Sequence, residues 1–257
     1  MQFDVILPIS LFIFLVTTIF VYQKILNKIR DLFEKVELGK YGVILFVLML
    51  GGIITIVAFL PNVAVQILYL SSLSYLLASF SYLVLKSYYT AVFPPIVLIL
   101  LYFLFWNNFV FNIFALIFAC IIIIYVNNIF SWKSLLIFAI LTTILDIFQV
   151  FGTGFMGKTA VKVLELKLPV IIFLPTFPSS GFILLGLGDI IFSGLLSIQM
   201  VMKKGSIAGI VTALTIAIAL FFYEIFSFNT QYFTFFPATI VIVLGWLVGL
   251  AISQLII

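Results

Sequence analysis

The sequence lacks histidine entirely and contains a single cysteine, Cys120, in 257 residues. These absences exclude zinc sites rich in histidine and cysteine, a Ser-His-Asp triad and a Cys-His pair. One cysteine also excludes a disulfide within the chain. Cys120 lies inside an apolar run, where it is interpreted as a small core hydrophobe.

Charged residues are also scarce: they make up 8% of the chain, whereas hydrophobic residues make up 66%. Soluble proteins carry about 25% charged residues, so this composition predicts an integral membrane protein. One membrane-spanning helix needs about 20 apolar residues. The apolar runs predict an all-α bundle of nine transmembrane helices. They cover roughly residues 3–23, 42–60, 64–85, 91–106, 109–126, 133–151, 180–202, 206–226 and 236–257.

The predicted spans divide the chain into three parts. Residues 1–151 form a six-span part, 152–180 a connecting loop, and 181–257 a three-span part. In the loop, Val161–Leu168 alternates apolar and polar residues with a period of two, which predicts a short strand. Such a strand would either pair with an extended substrate by β-augmentation or form a surface β-turn unit. The sequence leaves both alternatives open.

The net charge of +4 does not indicate nucleic-acid binding, because the basic residues border the spans. Nine lie in odd-numbered connections and three in even-numbered ones. This bias predicts an external N-terminus and a cytoplasmic C-terminus, in the cell membrane. Residues 24–40, which mix both charge signs, are interpreted as a solvated or interfacial helix. The nine are Lys24, Lys28, Arg30, Lys35, Lys40, Lys86, Lys133, Lys203 and Lys204, and the three are Lys158, Lys162 and Lys167.

Two aspartates lie alone within apolar runs, Asp146 in the sixth predicted span and Asp189 in the seventh. Placing a carboxylate in hydrocarbon is strongly unfavourable, so the presence of each aspartate within an apolar run requires an explanation. Lys133 and Lys203 mark the predicted cytoplasmic ends of these spans, and each aspartate is separated from its lysine by nearly the same length of chain. A rise of about 1.5 Å per residue places both carboxylates about 20 Å from that boundary. Adjacent antiparallel helices would bring them to one level.

Each aspartate shares a helix face with other small or polar residues. We interpret these two faces as the walls of a water-filled cavity. The alternative is hydrogen bonding between helices, which is the preferred reading for Thr142 or Ser197 taken alone. The face in the sixth span consists of Thr142, Asp146, Gln149 and Thr153. The face in the seventh span consists of Gly186, Asp189, Ser193 and Ser197.

Two carboxylates at close range cannot both ionise easily, so the pair is expected to hold one proton near neutral pH. The ionised carboxylate would take a proton from a water molecule between them. The protonated one would donate to the carbonyl oxygen that this water attacks. Gly186 and Gly188 leave space for a substrate backbone beside Asp189. The predicted chemistry is amide hydrolysis without a covalent intermediate, a metal or an organic cofactor.

These motifs resemble the presenilin and signal peptide peptidase family of intramembrane aspartyl proteases. That family carries Tyr-Asp, Gly-x-Gly-Asp and Pro-Ala-Leu in its sixth, seventh and ninth spans. The matching segments are Leu145-Asp146, Gly186-Leu187-Gly188-Asp189 and Pro237-Ala238-Thr239. The resemblance implies that the two aspartates are catalytic. The residues predicted to shape the site or bind substrate are Gly186, Leu187, Gly188, Pro237, Ala238, Thr239 and Gln149. Leu145 and Thr239 depart from the family pattern.

The predicted external N-terminus resembles the signal peptide peptidase branch. Its members cut spans whose own N-terminus is cytoplasmic, including spent signal peptides. The compact chain favours a prokaryotic, archaeal member. Transmembrane peptides and the bilayer are therefore the expected partners. A helix hides its carbonyl groups in its own hydrogen bonds, so cleavage is expected where the substrate is locally unwound.

Two other functions remain open. A proton-coupled transporter or ion leak would use the membrane carboxylates as a charge relay, but it gives no reason for the Gly-x-Gly-Asp motif. A prepilin-type or preflagellin-type peptidase also uses this motif. Those enzymes resemble smaller bundles with the acids nearer the cytoplasmic face.

Overall fold

A computed structural model of the chain describes residues 3–33, 37–178, 180–230 and 237–256. Over these residues the chain forms ten α-helices, one π-helical turn and a two-stranded antiparallel sheet. In chain order the elements are α1 (Ile6–Phe33), α2 (Lys40–Phe59), α3 (Asn62–Leu85), α4 (Tyr88–Leu104), α5 (Asn108–Asn127), α6 (Trp132–Ile147), the π-helical turn (Phe148–Thr153), α7 (Phe155–Glu165), β1 (Ile171–Pro175), β2 (Phe182–Gly186), α8 (Leu187–Lys204), α9 (Ser206–Thr230) and α10 (Ala238–Ile256).

Seven of the described helices are long and apolar enough to cross a membrane: α1, α2, α3, α5, α6 with its π-helical turn, α9 and α10. The chain is therefore a multi-pass membrane protein of the all-α class. The count of nine spans is not confirmed. At the predicted fourth span, α4 has only 17 residues. At the predicted seventh, α8 carries Asp189, Lys203 and Lys204 within 18 residues.

Several helix boundaries follow from local sequence. Asn107 accepts a hydrogen bond from the backbone N–H of Val110 and so caps the start of α5. Ser131 and Ser134 form a reciprocal capping box at the start of α6. The fourth and fifth predicted spans are two separate helices, as expected. Residues 24–33, part of the predicted interfacial helix, continue α1, and residues 34–36 lie outside the described part of the chain.

The most deeply buried helix is α8, which packs against α1, α5, α9 and α10. Its residues Leu196 and Ile198 are completely buried. Close packing continues between α9 and α10, where a Cβ atom on Gly245 would lie 2.7 Å from the Cα atom of Ile216. Small residues at such crossings let two backbones approach closely. By contrast, α2 to α4 expose large apolar side chains, which suits contact with lipid.

The strand predicted at Val161–Leu168 is wrong, because α7 covers residues up to Glu165. Val163 is buried, and the ammonium of Lys162 donates to carbonyl oxygens at the C-terminal end of α2. Leu164 and Leu168 also match the spacing of one helix turn, so the short alternation did not distinguish a strand from a helix.

The two strands lie later in the chain, and β2 occupies the start of the predicted seventh span, 180–202. The helix there begins at Leu187 instead. A short apolar run suits a buried strand as well as a helix, and periodicity alone does not separate them. Gly186 and Gly188 also disfavour a helix interior at this point.

Candidate active site

Asp146 lies near the C-terminal end of α6, and its side chain is 8% exposed. After it the helix widens into the π-helical turn, which ends at Gly154 with a left-handed φ of 64°. Such π-helical turns are frequent at functional sites. Gln149 in this turn is buried, and its Nε2 donates to the carbonyl oxygen of Gly51 over 3.2 Å. This bond ties the widened turn to α2.

Asp189 lies in the first turn of α8, directly after β2. A Cβ atom on Gly186 would lie 3.0 Å from Oδ2 of Asp189, whereas one on Gly188 would meet no atom within 4 Å. Gly186 therefore makes room for the carboxylate, and Gly188 leaves an open surface beside it.

The opposite ends of α6 and α8 meet each other. The ammonium of Lys203 lies 3.7 Å from the centre of the Trp132 ring, a cation–π contact. The stretch of chain from Trp132 to Asp146 is as long as the stretch from Asp189 to Lys203. Both stretches are helical, so each carboxylate lies about 21 Å from this contact. The two helices thus carry the aspartates to the same level.

Asp146 and Asp189 line one cavity of about 350 Å³, to which α2, α6, α8 and α10 contribute. We call it the aspartate cavity. Gln149, Gly188 and Thr239 line the same cavity, and no lysine or arginine does so among the described residues. Five residues predicted for the site are therefore brought together here.

Thr239 holds the first aspartate. Its Oγ1 donates a hydrogen bond to Oδ2 of Asp146 over 2.7 Å. Pro237 is buried just before Ala238, the first residue of α10, so the first turn of this helix meets Asp146. Within the described residues, no side chain donates a hydrogen bond to Asp189. Thr239 was predicted to shape the site or bind substrate, but its hydrogen bond to Asp146 was not predicted.

The other departure, Leu145, also has a place in the site. It lines the aspartate cavity and packs on α2, where a Cβ atom on Gly51 would lie 2.9 Å from Cδ1 of Leu145. This position supplies an apolar wall and no hydroxyl group. Leu187, which was predicted to shape the site, is buried. It lines neither the aspartate cavity nor the second cavity described below.

The polar faces predicted as cavity walls are only partly right. Thr142 lines the aspartate cavity. Ser193 and Ser197 are completely buried instead, and each hydroxyl donates to a carbonyl oxygen four residues earlier in α8, over 2.8 Å. These two serines satisfy their hydroxyls within their own helix, so the cavity-wall interpretation is wrong for them.

A second cavity, of about 360 Å³, is lined by Gly186, Asp189 and Ala238 together with residues of β2, α7 and α9. We call it the hairpin cavity. Glu224 of α9 also lines it, although this side chain is only 4% exposed. Glu224 was not predicted as a site residue. The available signal was an acid within the eighth predicted apolar run, 206–226.

The sheet presents backbone groups to the hairpin cavity. The N–H of Leu187 donates to the carbonyl of Val170, and that of Thr176 donates to the carbonyl of Gly181. In an antiparallel pair the backbone groups of alternate residues point to the partner strand and away from it. The N–H and C=O of Leu184 therefore point away from β1, and Leu184 lines the hairpin cavity.

The outer edge of β1 is already occupied. The side chain of Asn112 donates through Nδ2 to the carbonyl oxygen of Phe173 over 2.7 Å and accepts through Oδ1 from its N–H over 3.0 Å. This amide from α5 pairs with the strand much as another backbone would. Among the residues that the structure describes, the outer edge of β2 is the one left for pairing.

Within the described part of the chain, no three His, Cys, Asp or Glu side chains are grouped to hold a metal ion. Comparison with protein-family models and with curated proteins returned no match to this chain. The family resemblance therefore rests on the three sequence motifs alone.

Proposed function

We propose that the protein is an intramembrane aspartyl protease of the signal peptide peptidase kind, which hydrolyses peptide bonds within transmembrane segments. One observation carries this proposal: two aspartates from different helices line one cavity at equal depth in a membrane protein. No basic side chain among the described residues lines that cavity, so a shared proton is the simplest way to neutralise the pair.

The hydrogen bond from Thr239 supports different roles for the two acids. A donated hydrogen bond favours the ionised form of Asp146, which then removes a proton from water. The protonated Asp189 donates to the carbonyl oxygen as that water attacks the carbonyl carbon. In the second step a proton passes to the amide nitrogen and the C–N bond breaks. The products are a carboxylate and an amine, and one water is consumed.

The sheet supports a way to present the substrate. An extended segment added to the outer edge of β2 would pair with the backbone of Leu184 and continue toward Asp189. Under the proposed topology of nine spans with an external N-terminus, β2 runs inward from the external side. A substrate whose N-terminus is cytoplasmic would then run antiparallel to β2. Because β2 lies on the external side of Asp189, the substrate residues that pair with it are those that follow the scissile bond.

The proposal is tested with the protein reconstituted in liposomes together with a labelled transmembrane peptide. We expect Asp146→Asn and Asp189→Asn each to lower cleavage by about a thousandfold or more, because each removes one of the two proton-transfer groups. Glu165→Gln, which changes an exposed acid of α7, is the matched control and should keep activity. Full activity in either aspartate variant with an intact fold would refute the assignment.

The rival function, proton-coupled transport, gains support from Glu224, because a third buried acid shares a cavity with Asp189. The same liposomes separate the two functions when loaded with a pH-sensitive dye. Proton flux that depends on both aspartates, without any peptide cleavage, would favour transport. Cleavage without flux favours the protease.

A further inference from the structure

Glu224 is a buried acid that the proposed reaction does not use. Its side chain is 4% exposed, and neither carboxyl oxygen has a hydrogen-bond partner among the described residues. Asp4 provides the contrast. It is completely buried, yet its carboxylate accepts hydrogen bonds from the backbone N–H groups of Ile6, Leu7 and Phe177. Asp4 therefore caps α1, whereas Glu224 makes no such hydrogen bonds among the described residues.

The surroundings of Glu224 define the chemistry of a ligand. The hairpin cavity is walled mainly by aliphatic side chains, such as Leu164 and Leu220, and no lysine or arginine lines it among the described residues. Glu224 and Asp189 are the acidic groups in this lining. A long apolar stem with a positively charged tip matches these walls, and lysine and arginine side chains have that shape.

The position of Glu224 along its helix relates it to the scissile bond. Ser206 begins α9 next to the Lys203 end of α8, so both helices can be measured from the same level. The helical rise places Glu224 about 27 Å from Ser206 and Asp189 about 21 Å from Lys203, so Glu224 lies about 6 Å farther out. An extended chain covers about 3.3 Å per residue, so this offset corresponds to about two residues.

Resting on the proposed function, we propose that Glu224 determines substrate specificity by binding a basic side chain, on about the second residue after the scissile bond. The substrate strand that pairs with β2 runs through the same cavity, and the Glu224 side chain, whose carboxyl oxygens are buried, turns toward the cavity to meet the basic group. A lysine within lipid and an unpaired buried carboxylate are both unfavourable. Their pairing removes both penalties at once.

The first test is a lysine scan of a cleavable transmembrane peptide. Lysine replaces norleucine, which has an uncharged side chain of similar length, at each of the four positions after the scissile bond. In the wild type, lysine at the second position should raise kcat/KM by about tenfold, because a buried charge pair forms. The side chains at the first and third positions point to the opposite face of the strand, so lysine at those positions should give no such gain.

The ratio of lysine to norleucine cleavage is taken within each enzyme, so general losses of activity cancel. In Glu224→Gln this ratio should fall below about twofold, while Glu165→Gln should retain the wild-type ratio. An unchanged ratio in Glu224→Gln, or a wild-type enzyme without any positional preference, overturns the proposal.

A second test keeps Glu224 in place and does not need turnover. Asp146→Asn enzyme in liposomes is treated with a hydrophobic carbodiimide, and modification of Glu224 is measured by mass spectrometry. The lysine peptide should shield Glu224 severalfold more than the norleucine peptide. Equal shielding overturns the cation site even if the wild type cleaves peptides. Selective shielding without wild-type cleavage supports the cation site and instead contradicts the proposed protease.

Discussion

Asp146 and Asp189 are chemically identical side chains in unequal settings. Asp146 lies near the C-terminal end of α6, where the helix widens into a π-helical turn. It accepts a hydrogen bond from Thr239 at the start of α10. Asp189 begins a helix directly after a strand, and it borders both the aspartate cavity and the hairpin cavity. Asp146 is held by one hydrogen-bond donor, whereas Asp189 also faces the cavity into which a substrate would extend.

This comparison shows how one residue type serves two roles in a proposed acid–base pair. A carboxylate that is fixed by a donor is suited to remain charged and to orient water. A carboxyl group without a side-chain donor, beside an open surface at Gly188, is suited to carry the proton and meet the carbonyl oxygen. Three measurements test whether the two settings differ in this way, taken from the largest expected effect to the smallest.

The largest effect is expected from pH. Because one carboxyl must be charged and the other protonated, activity should follow a bell-shaped profile. The rate should fall about tenfold for each pH unit beyond either limb, since each limb reflects one proton. The measurement is kcat/KM for one peptide in liposomes from about pH 4 to about pH 9. A flat rate across this range would argue against a shared proton.

The next effect is expected from Thr239→Val, which keeps the shape of the side chain and removes the donor to Asp146. A hydrogen bond to a charged group contributes about 1.5–3 kcal/mol, so kcat should fall by about tenfold to a hundredfold. KM should change little, because Thr239 orients a catalytic group.

The matched control is Thr239→Ser, which retains the hydroxyl and should restore most of kcat. Equal losses in the valine and serine variants would mean that the methyl group, and not the donor, is what matters. An unchanged kcat in Thr239→Val would remove the basis for treating the two aspartates differently.

The smallest effect is expected from the two glycines beside Asp189. In Gly186→Ala the new Cβ would lie 3.0 Å from Oδ2 of Asp189, so the carboxyl group must shift and kcat should fall about fivefold. In Gly188→Ala the new methyl group meets no atom within 4 Å, so it should act mainly through KM. Kinetic constants of both variants on one peptide check this, and a reversed pattern would contradict the geometry.

Much of the fold could be predicted because hydrophobicity determines where helices cross a membrane. The sixth predicted span, 133–151, corresponds to α6 and its π-helical turn, and the eighth and ninth correspond to α9 and α10. The seventh was predicted too long, because the apolar residues of β2 continue directly into α8. Pairing with the neighbouring strand β1 made them a strand, and a hydropathy pattern contains no such information.

The site was predictable to a similar degree. Asp146 and Asp189 stood out because charged groups are rare within apolar runs. The role of Thr239 was not predictable, because it donates to a residue 93 positions earlier and depends on where α10 begins. Ser193 and Ser197 follow the spacing of a polar face, yet their hydroxyls bond to their own helix. Spacing alone does not say which groups a side chain meets.

Composition and residue order were enough to establish membrane residence and the depth of the two acids, because both follow from apolar length and helical rise. Packing alone decided that α10 supplies a donor to Asp146, that the outer edge of β2 is unpaired among the described residues, and that Glu224 shares a cavity with Asp189. The physical reason is that hydrogen bonds and cavities between distant segments exist only once the helices have taken their relative positions.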